Sequence, residues 1–234
     1  MLNTITDQVS GSDTQTRSPR LWIPERVLFT PAALDEDWGQ QILTRVQSLN
    51  LSIEELSQNR LKGLRGESER DTYNIAKRTL AVVTAPPSSF KLSPIPPSAD
   101  WQFHLAEGCP AHCQYCYLAG SLSGPPVIRV FANLPQILDN LANYEQQGKT
   151  TSFEVSCYTD PLGIEHLTGS LAECIRYFGK ASNATCYNAG SPRNAVAPQP
   201  TIFLQHFSQD RPLLKIYFIN ALLPLKSSLS TTPS

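Results

Sequence analysis

The first regular pattern of apolar positions along the chain is helical. Leu34, Trp38, Ile42, Val46 and Leu49 recur at three- and four-residue intervals after Pro31, which predicts one apolar stripe on a helix of about four turns. Residues 1–20 are polar, show neither helical nor strand period, and read as a disordered leader. In residues 60–78, Arg60, Lys62, Arg65, Arg70, Lys77 and Arg78 are interspersed with Glu67, Glu69 and Asp71. That mixture predicts a solvated charged face, with phosphate contact as the alternative. Residues 85–98 hold five prolines, which exclude helix and central strand. This segment reads as a linker between an N-terminal region, 21–84, of helical and mixed character and a second region, 99–180.

The second region alternates strand and helix. Trp101, Phe103 and Leu105 alternate with polar residues as in a half-buried strand that runs into Gly108 and Cys109. Asn133 is placed to cap a helix with the stripe Leu134, Ile137, Leu138, Leu141 and Tyr144, ending at Gly148. Residues 151–157 predict a strand with Phe153, Val155 and Cys157 on one face and Glu154 and Ser156 on the other. Thr168 then opens a helix whose Leu171, Cys174, Ile175 and Phe178 face the core, with Gly179 as its stop. This order predicts an α/β fold with a parallel sheet and right-handed crossovers. After residue 180 the pattern fails. Residues 181–234 contain one acidic residue, Asp210, four basic residues and six prolines. They read as an aberrant tail, produced either by divergence or by truncation with an altered reading frame.

Composition narrows the class. A chain of 234 residues that is 41% hydrophobic can bury a core, which argues against a disordered or fibrous protein. Nineteen basic against twenty acidic residues give a net charge of -1, so no global field draws a polyanion. The sequence carries no secretory leader and no apolar window long enough to span a bilayer, so the expectation is a cytoplasmic protein without membrane contact. In that reducing compartment six cysteines point to metal or catalysis rather than disulfides.

Three of them, Cys109, Cys113 and Cys116, form a CxxxCxxC motif within eight residues. Thiolates this close, in a loop leaving a strand, suit three irons of a cubane iron-sulfur cluster and leave the fourth iron open. The alternative is zinc, completed by His104, His112 or His166. Cys174 lies on a core stripe and Cys186 in the tail, where it receives no role. His112 either bonds a cluster sulfide or faces solvent.

The motif, with an aromatic residue before its last cysteine at the end of a strand, resembles the radical S-adenosylmethionine superfamily. Residues 108–118, 127–133, 153–160 and 163–168 resemble the spore photoproduct lyase family more closely, and residues 74–80 do so weakly. The likeness covers about 21–179. It implies an incomplete partial (β/α) barrel of about two units. It also implies that Cys109, Cys113 and Cys116 hold a 4Fe-4S cluster whose reduction cleaves S-adenosylmethionine to a 5′-deoxyadenosyl radical. Tyr115, Glu154, Thr159 and Asp160 match positions near the cofactor. Cys157 matches the donor of a hydrogen atom to the product thymine radical, and Tyr115 and Tyr117 match tyrosines of the hydrogen-return path. The implied substrate is a thymine-dimer photoproduct in DNA, and the implied partner a one-electron reductant such as a flavodoxin or ferredoxin. Two alternatives stand beside this reading: a radical enzyme of the family with another substrate, and an inactive truncated chain that binds a cluster.

Overall fold

The computed structural model describes residues 21–112, 124–180 and 184–187. The leader, Cys113, Tyr115, Cys116 and Tyr117 of the cysteine loop, and the tail apart from 184–187 lie outside the described residues. The fold is mixed α/β, built on two sheets. In the first, β1 (Arg26–Phe29) pairs in parallel with β2 (Ser52–Glu55) and β3 (Thr79–Val83). In the second, β4 (Ser93–Ile95) runs antiparallel to β5 (Ala99–Phe103). The two-residue β6 (Ala106–Glu107) and β7 (Ile128–Phe131) complete the first sheet in the order β2-β1-β3-β7-β6, with β6 antiparallel. The second ends with β8 (Thr151–Val155) and β9 (Ala184–Tyr187), both parallel to β5 in the order β4-β5-β8-β9. Consecutive residues of β1 and β3, among them Leu28, Phe29, Leu80 and Ala81, are fully buried. A parallel strand covered on both faces reads as an apolar run instead of an alternation.

The two regions share one core, in which Phe29 and Ile42 belong to the same apolar cluster as Phe103, Phe153 and Phe178. The proline-rich segment is therefore part of the fold and not a linker. It forms a 3-10 turn at Pro87–Phe90 and then β4, and Leu92 is buried. Tyr144 Oη donates to Phe90 O at 3.0 Å and accepts from the Leu92 N–H at 3.1 Å, anchoring the segment. Prolines are compatible with β4 because it is an edge strand, where a missing N–H leaves no ladder bond broken.

The helices depart from the sequence pattern at their ends. The stripe starting at Pro31 is divided into α1 (Pro31–Leu34) and α2 (Asp37–Ser48), because Glu36 is extended. Trp38, Ile42 and Val46 are buried as expected, whereas Leu49 is exposed. The charged segment folds as α3 (Glu69–Lys77), capped by Ser68, whose hydroxyl accepts from the Asp71 N–H at 3.1 Å. In α4 (Leu134–Asn140), Asn133 precedes the first turn but does not cap it, since its Oδ1 accepts from the Ala85 N–H at 2.8 Å. The stripe continues through a 3-10 turn at Leu141–Tyr144. The last helix is two pieces, α5 (Glu165–Thr168) and α6 (Ser170–Lys180), joined by left-handed Gly169. Glu165 caps the second piece by accepting from the Leu171 and Ala172 N–H groups at 2.9 and 3.1 Å, and Gly179 lies inside it.

Residues 184–187 correct the expectation for the tail at that point. They form β9 beside β8, reached through α6, so a parallel βαβ unit closes there. Cys186 is buried with Cys174 in the core. The strand is too short to show a period in sequence.

Candidate active site

Two loops leave the carboxyl ends of β5–β6 and β8, where an α/β fold presents its functional groups. The first begins at Gly108, which has φ +80°; a Cβ there would lie 2.4 Å from Val127 O. Only glycine fits this turn, and it leads into Cys109, which is half-buried. The loop backbone is held by Lys77 at the end of α3. Its ammonium, on a residue 7% exposed, donates to Ala111 O at 2.8 Å and also to Cys109 O. The charge pattern of residues 60–78 predicts Lys77 on a solvated face, and the structure corrects this. His112 Nδ1 lies 3.4 Å from Tyr73 Oη, and burial, then the charges of Lys77 and Arg78, push its pKa down.

The second loop begins where β8 stops. Residues 151–157 predict one strand with Glu154 and Cys157 on opposite faces, but β8 ends at Val155 and Ser156 is left-handed, with φ 59°. Its backbone N–H donates to Phe103 O at 2.8 Å and its Oγ accepts from the Leu105 N–H at 3.1 Å. These bonds to the β5 side hold a conformation that a non-glycine residue adopts at a cost of about 1–3 kcal/mol. The turn brings the Cys157 thiol onto the side chain of Glu154, with Sγ donating to Oε1 at 3.3 Å. The other oxygen, Oε2, accepts from Ser98 Oγ. Burial pushes the Cys157 pKa up to about 12, with the Glu154 hydrogen bond and the Glu154 charge adding to it.

His104, at the end of β5, stacks on Tyr158 with ring centroids 4.6 Å apart. Burial holds the His104 pKa down against the opposing charges of Glu107 and Glu154. Thr159 is buried, and its hydroxyl has no hydrogen-bond partner among the described residues. Asp160 accepts from the Gly163 N–H at 3.3 Å and so caps the 3-10 turn Pro161–Gly163.

The structure thus brings Glu154, Cys157, Thr159 and Asp160 to one strand end. Cys113, Tyr115, Cys116 and Tyr117 lie outside the described residues. Among the described residues no three His, Cys, Asp or Glu side chains are grouped to hold a metal. Sequence reasoning missed Lys77, Ser98 and the His104–Tyr158 stack. The only signal for Ser98 was its place directly before a strand.

A family model described as "Spore photoproduct lyase" matches residues 22–187, more than half of the chain. The chain belongs to the spore photoproduct lyase family. It is 38% identical over 161 residues to the spore photoproduct lyase of Geobacillus sp. (strain Y412MC61), and 34% identical over 163 residues to that of Bacillus subtilis (strain 168). Each match covers 68% of this chain and 47% of the relative, so the chain spans about half the length of the curated relatives it matches. Among solved structures, spore photoproduct lyase complexed with dinucleoside spore photoproduct is similar at a TM-score of 0.66 and 32% identity. That match covers 72% of this chain and 50% of the other. A double mutant of spore photoproduct lyase, with bound AdoMet and dinucleoside spore photoproduct, matches with the same score and coverage. The expected likeness to a partial (β/α) barrel is therefore met by mixed α/β sheets with parallel strands, which do not close into a barrel among the described residues. Among the described residues no helix is long and apolar enough to cross a membrane.

Proposed function

We propose that this chain carries the cluster, cofactor and hydrogen-donor residues of a spore photoproduct lyase acting on a thymine-dimer photoproduct in DNA. Cys157 carries this reading: its half-buried thiol lies at the carboxyl end of β8, donates to Glu154, and has its pKa pushed up to about 12. A hydrogen-atom donor has to retain its hydrogen. The S–H bond breaks as the product C–H bond forms, proton and electron leave together, and a thiolate has only the electron to give. The raised pKa keeps the hydrogen in place up to alkaline pH, where an ordinary thiol would lose it.

The other residues fit the cofactors. Cys109, half-buried on a loop braced by Lys77, would hold the 4Fe-4S cluster together with Cys113 and Cys116. The Thr159 hydroxyl, unpartnered among the described residues, is a polar group in want of a ligand, and with Tyr115, Glu154 and Asp160 it would face S-adenosylmethionine. When bound, these groups supply the radical that starts the reaction. Tyr115 and Tyr117 are assigned to returning hydrogen to Cys157 after turnover, and a flavodoxin or ferredoxin to supplying the electron.

The test is anaerobic reconstitution with iron and sulfide, followed by dithionite, S-adenosylmethionine and dinucleoside spore photoproduct. The wild-type chain is expected to release 5′-deoxyadenosine and the repaired thymine dinucleotide. Cys157→Ala is expected to release 5′-deoxyadenosine without clean dinucleotide. A cluster-loaded chain that leaves S-adenosylmethionine intact overturns the proposal, and clean dinucleotide from Cys157→Ala overturns the donor assignment.

A further inference from the structure

We infer that Ser98 and Glu154 are positioning residues that keep the hydrogen on Cys157: Ser98 orients the Glu154 carboxylate, and Glu154 accepts the thiol S–H. The inference rests on the reading of Cys157 as the hydrogen donor. Three segments converge to make the chain of contacts. Ser98 lies directly before β5, Glu154 is paired with Gln102 of β5 from its place on β8, and Cys157 follows the left-handed turn at Ser156.

Glu154 is only 6% exposed, and a carboxylate at that depth requires hydrogen-bond donors. Ser98 supplies one to Oε2 and Cys157 another to Oε1. Ser98 Oγ also lies 3.0 Å from Ile95 O, so two acceptors compete for one hydroxyl hydrogen. The carboxylate is the stronger acceptor, and the backbone carbonyl remains the alternative in Glu154→Gln.

The contact favours the thiol over the thiolate for a simple reason: a thiolate at this position would set two anions against each other. Among the described residues, the titratable groups that act with this pair are His104 after β5 and Cys186 on β9, both through Glu154. His104 adds no opposing positive charge, because burial holds it neutral. A thiol is a weak donor, so rotation about Cβ–Sγ releases the hydrogen from Glu154 at little cost. The S–H bond then breaks, the C–H bond of the product forms, and a neutral thiyl radical remains on Cys157.

Alkylation of Cys157 by iodoacetamide in the full chain without cofactors, followed by peptide mass spectrometry between pH 7 and 10, reads the thiolate fraction directly. In the wild type the rate is expected to climb about tenfold per pH unit throughout, because the midpoint lies above the range. In Glu154→Gln the midpoint is expected to fall, burial still holding it up, so that the rate at each pH rises about tenfold for every unit of the fall. Ser98→Ala is expected to raise the rate in the same way by a smaller factor. A Glu154→Gln rate that matches the wild type at every pH overturns the inference. An unchanged Ser98→Ala profile removes Ser98 from the chain. The readout holds whether or not Cys157 donates hydrogen, so failure of the donor assignment, seen in the Cys157→Ala product, stays separate.

Discussion

The Lys77 ammonium lies 2.8 Å from the carbonyl of Ala111, two residues beyond the first cysteine of the CxxxCxxC motif. A side chain at the end of α3, on the N-terminal side of the fold, therefore braces a loop that belongs to the α/β core. The two carbonyls that it serves, those of Cys109 and Ala111, flank Pro110, so the brace sets where the first cysteine thiol emerges.

Lys77→Met removes the donors and leaves loop carbonyls in search of partners. The expected loss is about 2–3 kcal/mol in urea denaturation, on the scale of hydrogen bonds to a charged group. Retained iron per chain after anaerobic reconstitution is expected to fall as well. Unchanged stability and iron content would show that the brace has no energetic role.

At Gly108 the turn has no room for a side chain. Gly108→Ala places a methyl group 2.4 Å from a backbone oxygen at φ +80°, and neither partner is a flexible side chain that can swing away. The expected destabilisation is about 2–4 kcal/mol. Labelling of Cys109 by a thiol reagent is expected to accelerate, because the loop entry loosens.

The left-handed turn at Ser156 can be tested by a pair of substitutions. Ser156→Ala gives up the hydrogen bond to the Leu105 N–H and is expected to cost about 1–3 kcal/mol. Ser156→Val, which adds β-branching at positive φ, is expected to cost about 1–2 kcal/mol more. Equal losses in the two variants would contradict a left-handed residue here.

Alkaline stability follows from Cys157. Its folded pKa is raised from 9.0 to about 12, so its contribution to stability is fully present below pH 9 and is lost as pH rises toward 12. The buried Cys186 thiol, also raised, acts in the same direction, as does Tyr177. Comparison of wild type with Cys157→Ala isolates the first contribution. The denaturation midpoint of the wild type is expected to fall more between pH 8 and pH 11 than that of the variant. At the acid end the sign reverses for Asp100, whose pKa is held low by hydrogen bonds from the Ser152 backbone and hydroxyl. Its contribution is present above pH 3.8 and is lost as pH falls through its lowered value.

Spacing along the chain was enough for the α/β class, the buried stripe of Trp38, Ile42 and Val46, and the strand through Trp101 and Phe103, which ends there and does not run on to Gly108. Each of these depends on local periodicity, which dictates the side chains that share a face. Two features escaped it because they need partners distant in the chain. The proline-rich segment is drawn into the fold by Tyr144, and Lys77 is buried because loop carbonyls more than thirty residues away accept its hydrogen bonds. That Cys157 meets Glu154 is a property of the folded chain alone. Strand alternation would separate the two, but bonds from Ser156 to the neighbouring strand hold the backbone in a turn that alternation does not contain.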